Sequence, residues 1–293
     1  MEDLKWNKNE IPTGCKCVLP EGVGQSSRSS HTIGTIVAED RRVQMRLNRQ
    51  IHSFQDKIAI VSGPLTKVGK QIVAELSKHD MVVIAVGGPE SELSMLQKSL
   101  PNLEIIPVDL LNWTETEAAL SNIDHIDFLV NCSEFNALKS VADITEDDVD
   151  CILRNNLKAI INITRIVVTK FIQECVRGAI VNVSSQASKA GIRNQATFCA
   201  SKAGLDGYTR AAALELGSFG IRINCINPTV LTSELDGDIW SDSRMSSPML
   251  SRIPLKRFCN PQEIADAIIF LLSDQASLIT GVCLPIDGGF SCC

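Results

Sequence analysis

Ser185, Phe198 and Lys202 stand at the spacing of a carbonyl-reducing constellation, a serine followed by Tyr-x-x-x-Lys, except that the middle residue is a phenylalanine. In such a constellation the serine hydroxyl holds a substrate carbonyl and the tyrosine phenol protonates it. The lysine ammonium makes the phenol more acidic. Residues i and i+4 share one face of a helix, so Lys202 is expected beside the ring of residue 198. Phe198 has no hydroxyl to give. The chain's one tyrosine, Tyr208, lies further along the same predicted helix, roughly 15 Å up its axis. The histidines, His31, His52, His79 and His125, fall in segments not expected to line a site. The spacing describes the surroundings of a reductase without its proton donor.

The elements that must position these residues read as strand then helix, repeated. Short apolar runs at Lys57–Ser62, Met81–Val86, Glu104–Val108, Phe128–Asn131, Ala179–Ser184, Arg222–Asn227 and Cys283–Ile286 read as seven strands. Val68–His79 reads as a helix, as does a long segment through Lys202 to Gly217. Continuous Val/Ile/Leu runs imply strands buried on both faces, as in a parallel sheet. Alternation with helices implies right-handed βαβ units. The expected fold is α/β, a Rossmann-like doubly wound sheet flanked by helices, with a nucleotide crevice at its switch point.

The first 53 residues differ from the rest. Gly22–Gly34 is rich in Gly and Ser and reads as a linker. Val43, Leu47 and Ile51 recur every fourth residue among Arg41, Arg42, Arg46 and Arg49, which suggests a short basic helix. Residues 1–53 hold 8 Lys+Arg against 6 Asp+Glu, so the arm is +2 and the remainder −8. The expected organisation is an N-terminal extension over 1–53 and one domain over 54–293. A net charge of −6 speaks against a nucleic-acid surface. No apolar run has the length of a membrane span. The opening Met-Glu-Asp-Leu-Lys-Trp lacks the order of a signal peptide. The 11 cysteines show no ligand spacing with histidine, so no metal is expected. Reduced thiols in a cytoplasmic protein are, with Cys132, Cys151, Cys199, Cys225 and Cys283 in predicted core elements.

Residues 54–293 resemble the short-chain dehydrogenase/reductase family. The landmarks come in the family's order: Ser62-Gly63-x-x-x-Lys67-Val68-Gly69, Asp109-Leu110, Asn131-Cys132-Ser133, Asn155-Asn156-Leu157 and Val183-Ser184-Ser185. Phe198-x-x-x-Lys202, Asn227-Pro228-Thr229 and Asp287-Gly288-Gly289 follow. Gly178–Gln186, Ala213–Gly217, Arg252–Leu255 and Phe270–Asp274 look like the L-xylulose (dicarbonyl) reductase branch. The resemblance implies a tetramer or dimer that uses NADP(H) and reduces small sugars and dicarbonyls. It places Ser185, Phe198 (for tyrosine), Lys202 and Asn156 at the catalytic positions, Asn156 supporting a proton-relay water. It places Ser62, Gly63, Lys67, Val68, Gly69, Gly88, Asp109, Leu110, Asn131, Lys202, Pro228 and Thr229 around the cofactor.

The departures from the family's pattern bear on function. Lys67 replaces the middle glycine of the phosphate turn, where a side chain is expected to crowd a pyrophosphate, and Pro64 removes an N–H from that turn. Gly87-Gly88 stands where the branch has Ser-Arg, so no cation grips a 2′-phosphate. Glu134 adds a negative charge near the expected cofactor. Together with Phe198, these departures give the expectation of a non-catalytic or strongly impaired homologue acting as a scaffold or assembly subunit, whose arm docks on a partner. The alternative is an NADPH-dependent carbonyl reductase with residual activity, its protons relayed by water through Lys202 and Asn156.

Overall fold

The computed structural model describes residues 54–100, 102–232 and 241–292. The extension over 1–53, with its linker and basic helix, lies outside them. Seven parallel strands form one sheet: β1 (Ile58–Ser62), β2 (Val82–Val86), β3 (Leu103–Ile106), β4 (Phe128–Asn131), β5 (Ala179–Val183), β6 (Arg222–Pro228) and β7 (Cys283–Ile286). Their order is β3-β2-β1-β4-β5-β6-β7, so the winding reverses between β1 and β4. This is the doubly wound sheet that the apolar runs imply. Several strand bounds differ from the sequence reading by one or two residues. β3 stops before Pro107, which has no N–H for the ladder. β6 runs on to Pro228, after which the Thr229 N–H still reaches the Ile286 carbonyl at 3.2 Å.

Successive side chains of a strand face opposite sides of the sheet. Ala59 and Val61 of β1 therefore pack into one layer with α1 (Lys67–Leu76) and the helix Pro261–Leu272, while Ile60 packs into the other. On the α1 side the core includes Ile72, Val73, Ile264 and Ile268. α2 (Glu90–Ser99) adds Leu93 to it. On the opposite side α3 (Trp113–Ser121) contributes Leu120 and α5 (Ala159–Gln173) contributes Ile163, Val167 and Phe171. α6 (Ala196–Leu216) adds Ala213 and Leu216 there. α4 (Glu146–Leu153) leads into α5 through a π-helical turn, Arg154–Lys158. α7 (Ser243–Arg252) and α8 (Pro261–Leu272) complete the helices. Cys132 and Cys225 are buried as expected of core thiols, but Cys151, Cys199 and Cys283 are only half-buried. Their elements each leave one side at the surface.

Candidate nucleotide crevice and reductase-type site

The loops after the strands open a crevice on both sides of the switch point, where open α/β sheets bind their ligands. On one side, a cavity of about 680 Å³ lies over the ends of β1, β2 and β3. Gly63, Gly88, Asp109 and Leu110 line it, with Ser133 and Glu134 from the loop after β4. On the other side, a cavity of about 320 Å³ lies over β5 and β6. Val68, Ser185, Phe198, Pro228 and Thr229 line it, again with Glu134. Glu134 is the one residue, among those described, that lines both.

α6 carries Phe198 and Lys202 on one buried face. Phe198 is 5% exposed and Lys202 is fully buried. The Lys202 ammonium lies 5.5 Å from the centroid of the Phe198 ring, so the expected juxtaposition is present. A buried ammonium needs partners, because leaving water uncompensated costs several kcal/mol. Lys202 Nζ donates to the Val183 carbonyl at 3.1 Å and pairs with Glu134 Oε2 at 2.8 Å. Ser185 begins a short 3₁₀ turn, its hydroxyl accepting from the Ala187 N–H at 3.2 Å. Below that turn, Asn227 donates to the Ser185 carbonyl and to the buried Asp206 carboxylate. Ser188 donates to the same carboxylate at 2.7 Å, so these bonds hold the Ser185 loop to α6 and β6.

Several residues that the resemblance assigns to chemistry are occupied by the fold itself. Asn156 sits in the π turn, fully buried. Its Oδ1 accepts from the Phe135 N–H at 2.7 Å, and its Nδ2 donates to the Phe135 carbonyl and to Ser201 Oγ. The amide thus grips the main chain next to Glu134. Ser62 and Asn131 line neither cavity. Ser62 Oγ donates to Asn131 Oδ1 at 2.8 Å, and Asn131 Nδ2 donates to Thr164 and Asn182, which ties β1, β4 and β5 together. Gly69 lies in the first turn of α1 and donates to the capping Thr66 hydroxyl. Lys67 is exposed and is not among the residues that line the larger cavity, because α1 begins at it and leaves it on the surface.

Among the described residues, no tyrosine, histidine or thiolate stands in the smaller cavity in place of a phenol at 198. Tyr208 packs between two core clusters and lines neither cavity; burial pushes its phenol up. Among the described histidines, His79 stacks edge-on against Phe54 and His125 pairs with Glu174. The Cys132 thiol is pushed far up by burial, against the weaker pull of Lys202, so it is not a thiolate. A grouping the sequence reading missed is Asp206, Cys225 and Cys283, whose ligand-type atoms lie within 4.8 Å of one another. It was hidden because three separate elements bring it together.

The fit to a dinucleotide is divided. Gln186 Oε1 and Thr229 Oγ1 in the smaller cavity are buried without partners, which suits a small hydrogen-bonding ligand. The described residues lining the larger cavity include Asp109, Glu115 and Glu134 but no cation to meet phosphate. Glu134, paired with the buried Lys202, borders both cavities. Among its described lining residues, the larger cavity offers no side-chain cation for a 2′-phosphate, and Glu134 sets a carboxylate against a diphosphate.

Fold and crevice define a doubly wound α/β protein of the dinucleotide-crevice class. A family model described as enoyl-(acyl carrier protein) reductase matches residues 66–291. L-xylulose reductase of Bos taurus is 39% identical over 232 residues, 79% of this chain and 95% of the relative. A putative short-chain alcohol dehydrogenase from Sinorhizobium meliloti superposes with a TM-score of 0.76 at 29% identity, covering 82% of this chain and 98% of that one. An actinorhodin polyketide ketoreductase with NADPH gives 0.74 at 25%, covering 80% and 97%. The chain belongs to the short-chain dehydrogenase/reductase family.

Proposed function

We propose that this chain is a non-catalytic or strongly impaired member of its family, acting as a scaffold or assembly subunit in the cytoplasm. The observation that carries this reading is the residue at 198. A phenyl ring faces the smaller cavity beside a buried lysine, where the constellation needs a phenol. A positioned general acid contributes roughly 10²–10⁴ in rate. The reading includes a homo-oligomer, dimer or tetramer, and an extension over 1–53 that docks on a protein partner. The test is an assay of the purified protein with NADPH and with NADH against L-xylulose and diacetyl. Turnover is expected far below about 1 s⁻¹, a low but ordinary enzymatic rate. Turnover at or above that rate overturns the reading.

The second reading is an NAD(P)H-dependent carbonyl reductase of the L-xylulose type. Its support is the name borne by the Bos taurus relative, whose likeness covers nearly the whole domain. The unpartnered Gln186 and Thr229 atoms add to it, since they suit a hydroxylated substrate. The same assay decides between the two.

A further inference from the structure

Glu134 does more than add charge near the crevice. Its main chain is fixed from two sides. Gly63 packs so closely beneath Ser133 that a Cβ at 63 would lie 2.6 Å from the Ser133 nitrogen. Asn156 holds both the N–H and the carbonyl of Phe135, at 2.7 and 2.9 Å. Between these clamps the Glu134 side chain reaches the fully buried Lys202 ammonium at 2.8 Å, while remaining 39% exposed itself. A carboxylate so placed spans from open crevice to buried lysine, and it borders both cavities.

We infer that Glu134 is an internal ligand of Lys202 that closes the crevice to dinucleotides: it occupies the lysine and separates the two cavities that a dinucleotide must span. Two physical effects act together. The carboxylate fills the passage, and its charge opposes the diphosphate of any dinucleotide laid across it. Displacing the carboxylate would leave it without its ammonium partner, which raises the cost of binding further. The larger cavity by itself still admits a nucleoside, which has no diphosphate and no second half to pass Glu134. Glu134 is thus a specificity-determining residue. The inference deepens the impaired-enzyme reading of the same site and rests on it, but it concerns binding rather than proton transfer.

The test is calorimetry on the full chain with NADH, NADPH and adenosine as probes, comparing the parent protein with Glu134→Gly and Glu134→Gln. Glu134→Gly removes both bulk and charge. Glu134→Gln removes the charge yet keeps an oxygen for Lys202, so it tests the idea even if the glycine variant does not fold. Melting curves without ligand establish that each variant is folded. NADH and NADPH affinities are expected to rise at least ten-fold in Glu134→Gly, about 1.4 kcal/mol, and by less in Glu134→Gln. Adenosine affinity should stay within two- to three-fold of the parent. Dinucleotide affinity that is unchanged or undetectable in the folded variants overturns the inference. So does an equal gain for adenosine, which would mean a general change in the crevice. Turnover of the unmodified protein, measured separately, tests the impaired-enzyme reading and would sink both, whereas unchanged dinucleotide affinity in the folded variants sinks the inference alone, so the two failures are distinguishable.

Discussion

At Gly63 the backbone has φ +65°, a conformation that side chains other than glycine rarely adopt. At Gly69 a Cβ would come within 2.4 Å of the Gly63 carbonyl oxygen. Both glycines are therefore required by the turn and the start of α1, whatever the crevice holds, and their match to the family reports fold more than cofactor. Gly88 is similar, with φ +108° and its N–H bonded to the Val108 carbonyl. Introducing a cation there should accordingly be costly. Gly88→Arg is expected to destabilise the domain by about 1–3 kcal/mol, the usual cost of a side chain in such a backbone, seen as a fall in melting temperature of several degrees. A variant that melts with the parent would refute this account of the Gly87-Gly88 turn. Phe198 lends itself to a second test. Phe198→Tyr places a phenol beside Lys202, and an ammonium nearby favours the phenolate. Glu134 partly cancels that field. Absorbance titration should show the new phenol ionising at lower pH when Glu134→Gly is added, with the buried Tyr208 as an internal high-pH reference. Equal titration in both backgrounds would show that Glu134 does not screen the lysine.

Among the elements, α8 shows how local sequence fixes an end. Asn260 caps it, Pro261 begins it, and Glu263 reaches back to the Asn260 N–H in a capping box. Arg257 forks onto the same carboxylate at 2.6 and 2.8 Å. The Arg257 hydrogen bonds first, and the Asn260 N–H second, hold the Glu263 carboxyl down to about 2. A depressed folded-state pKa means that the stabilisation is complete above the ordinary carboxylate range and is lost as pH falls toward 2. Glu263→Gln should therefore melt below the parent at pH 7, by less than about 1 kcal/mol because the pair is partly exposed, and the gap should close in acid. A gap that persists at pH 2 would assign the effect to packing. Strands were legible because burial on both faces makes them continuous apolar runs, and Ser185, Phe198 and Lys202 were legible because spacing alone puts the last two on one helix face. The π turn was not, since it depends on Asn155 and Asn156 finding partners within the fold. Nor was α7, which carries Pro248 inside it and is rich in Ser and Arg. The Glu134–Lys202 pair was hidden for a similar reason. The charge of Glu134 was visible near the crevice, but its partner is set by how β4 and α6 meet.

On the scale of the whole molecule, the proposed reading predicts two kinds of association. Ala200, Ala203, Gly204, Gly207, Ala211 and Ala212 make α6 rich in small side chains, and beside them Leu214 is 86% exposed. Small side chains let a neighbouring helix approach closely, so light scattering should give a dimer or tetramer, and Ala211→Arg should reduce its mass; a monomeric parent at micromolar concentration removes the claim. The other candidate for association is the sequence of residues 1–53, whose charge is +2 against −8 for the rest. The described residues already contain a seven-stranded sheet with helices on both faces, so the core needs no strand from the arm. Deleting residues 1–50 is expected to leave melting temperature and oligomeric mass nearly unchanged while weakening recovery of a protein partner from native extract. Changing Arg41, Arg42, Arg46 and Arg49 to Ser should weaken recovery as well. The loss should be larger at low salt, where exposed charges are least screened. A truncated chain that unfolds yet recovers the same partners would make the arm part of the fold and remove its role in docking.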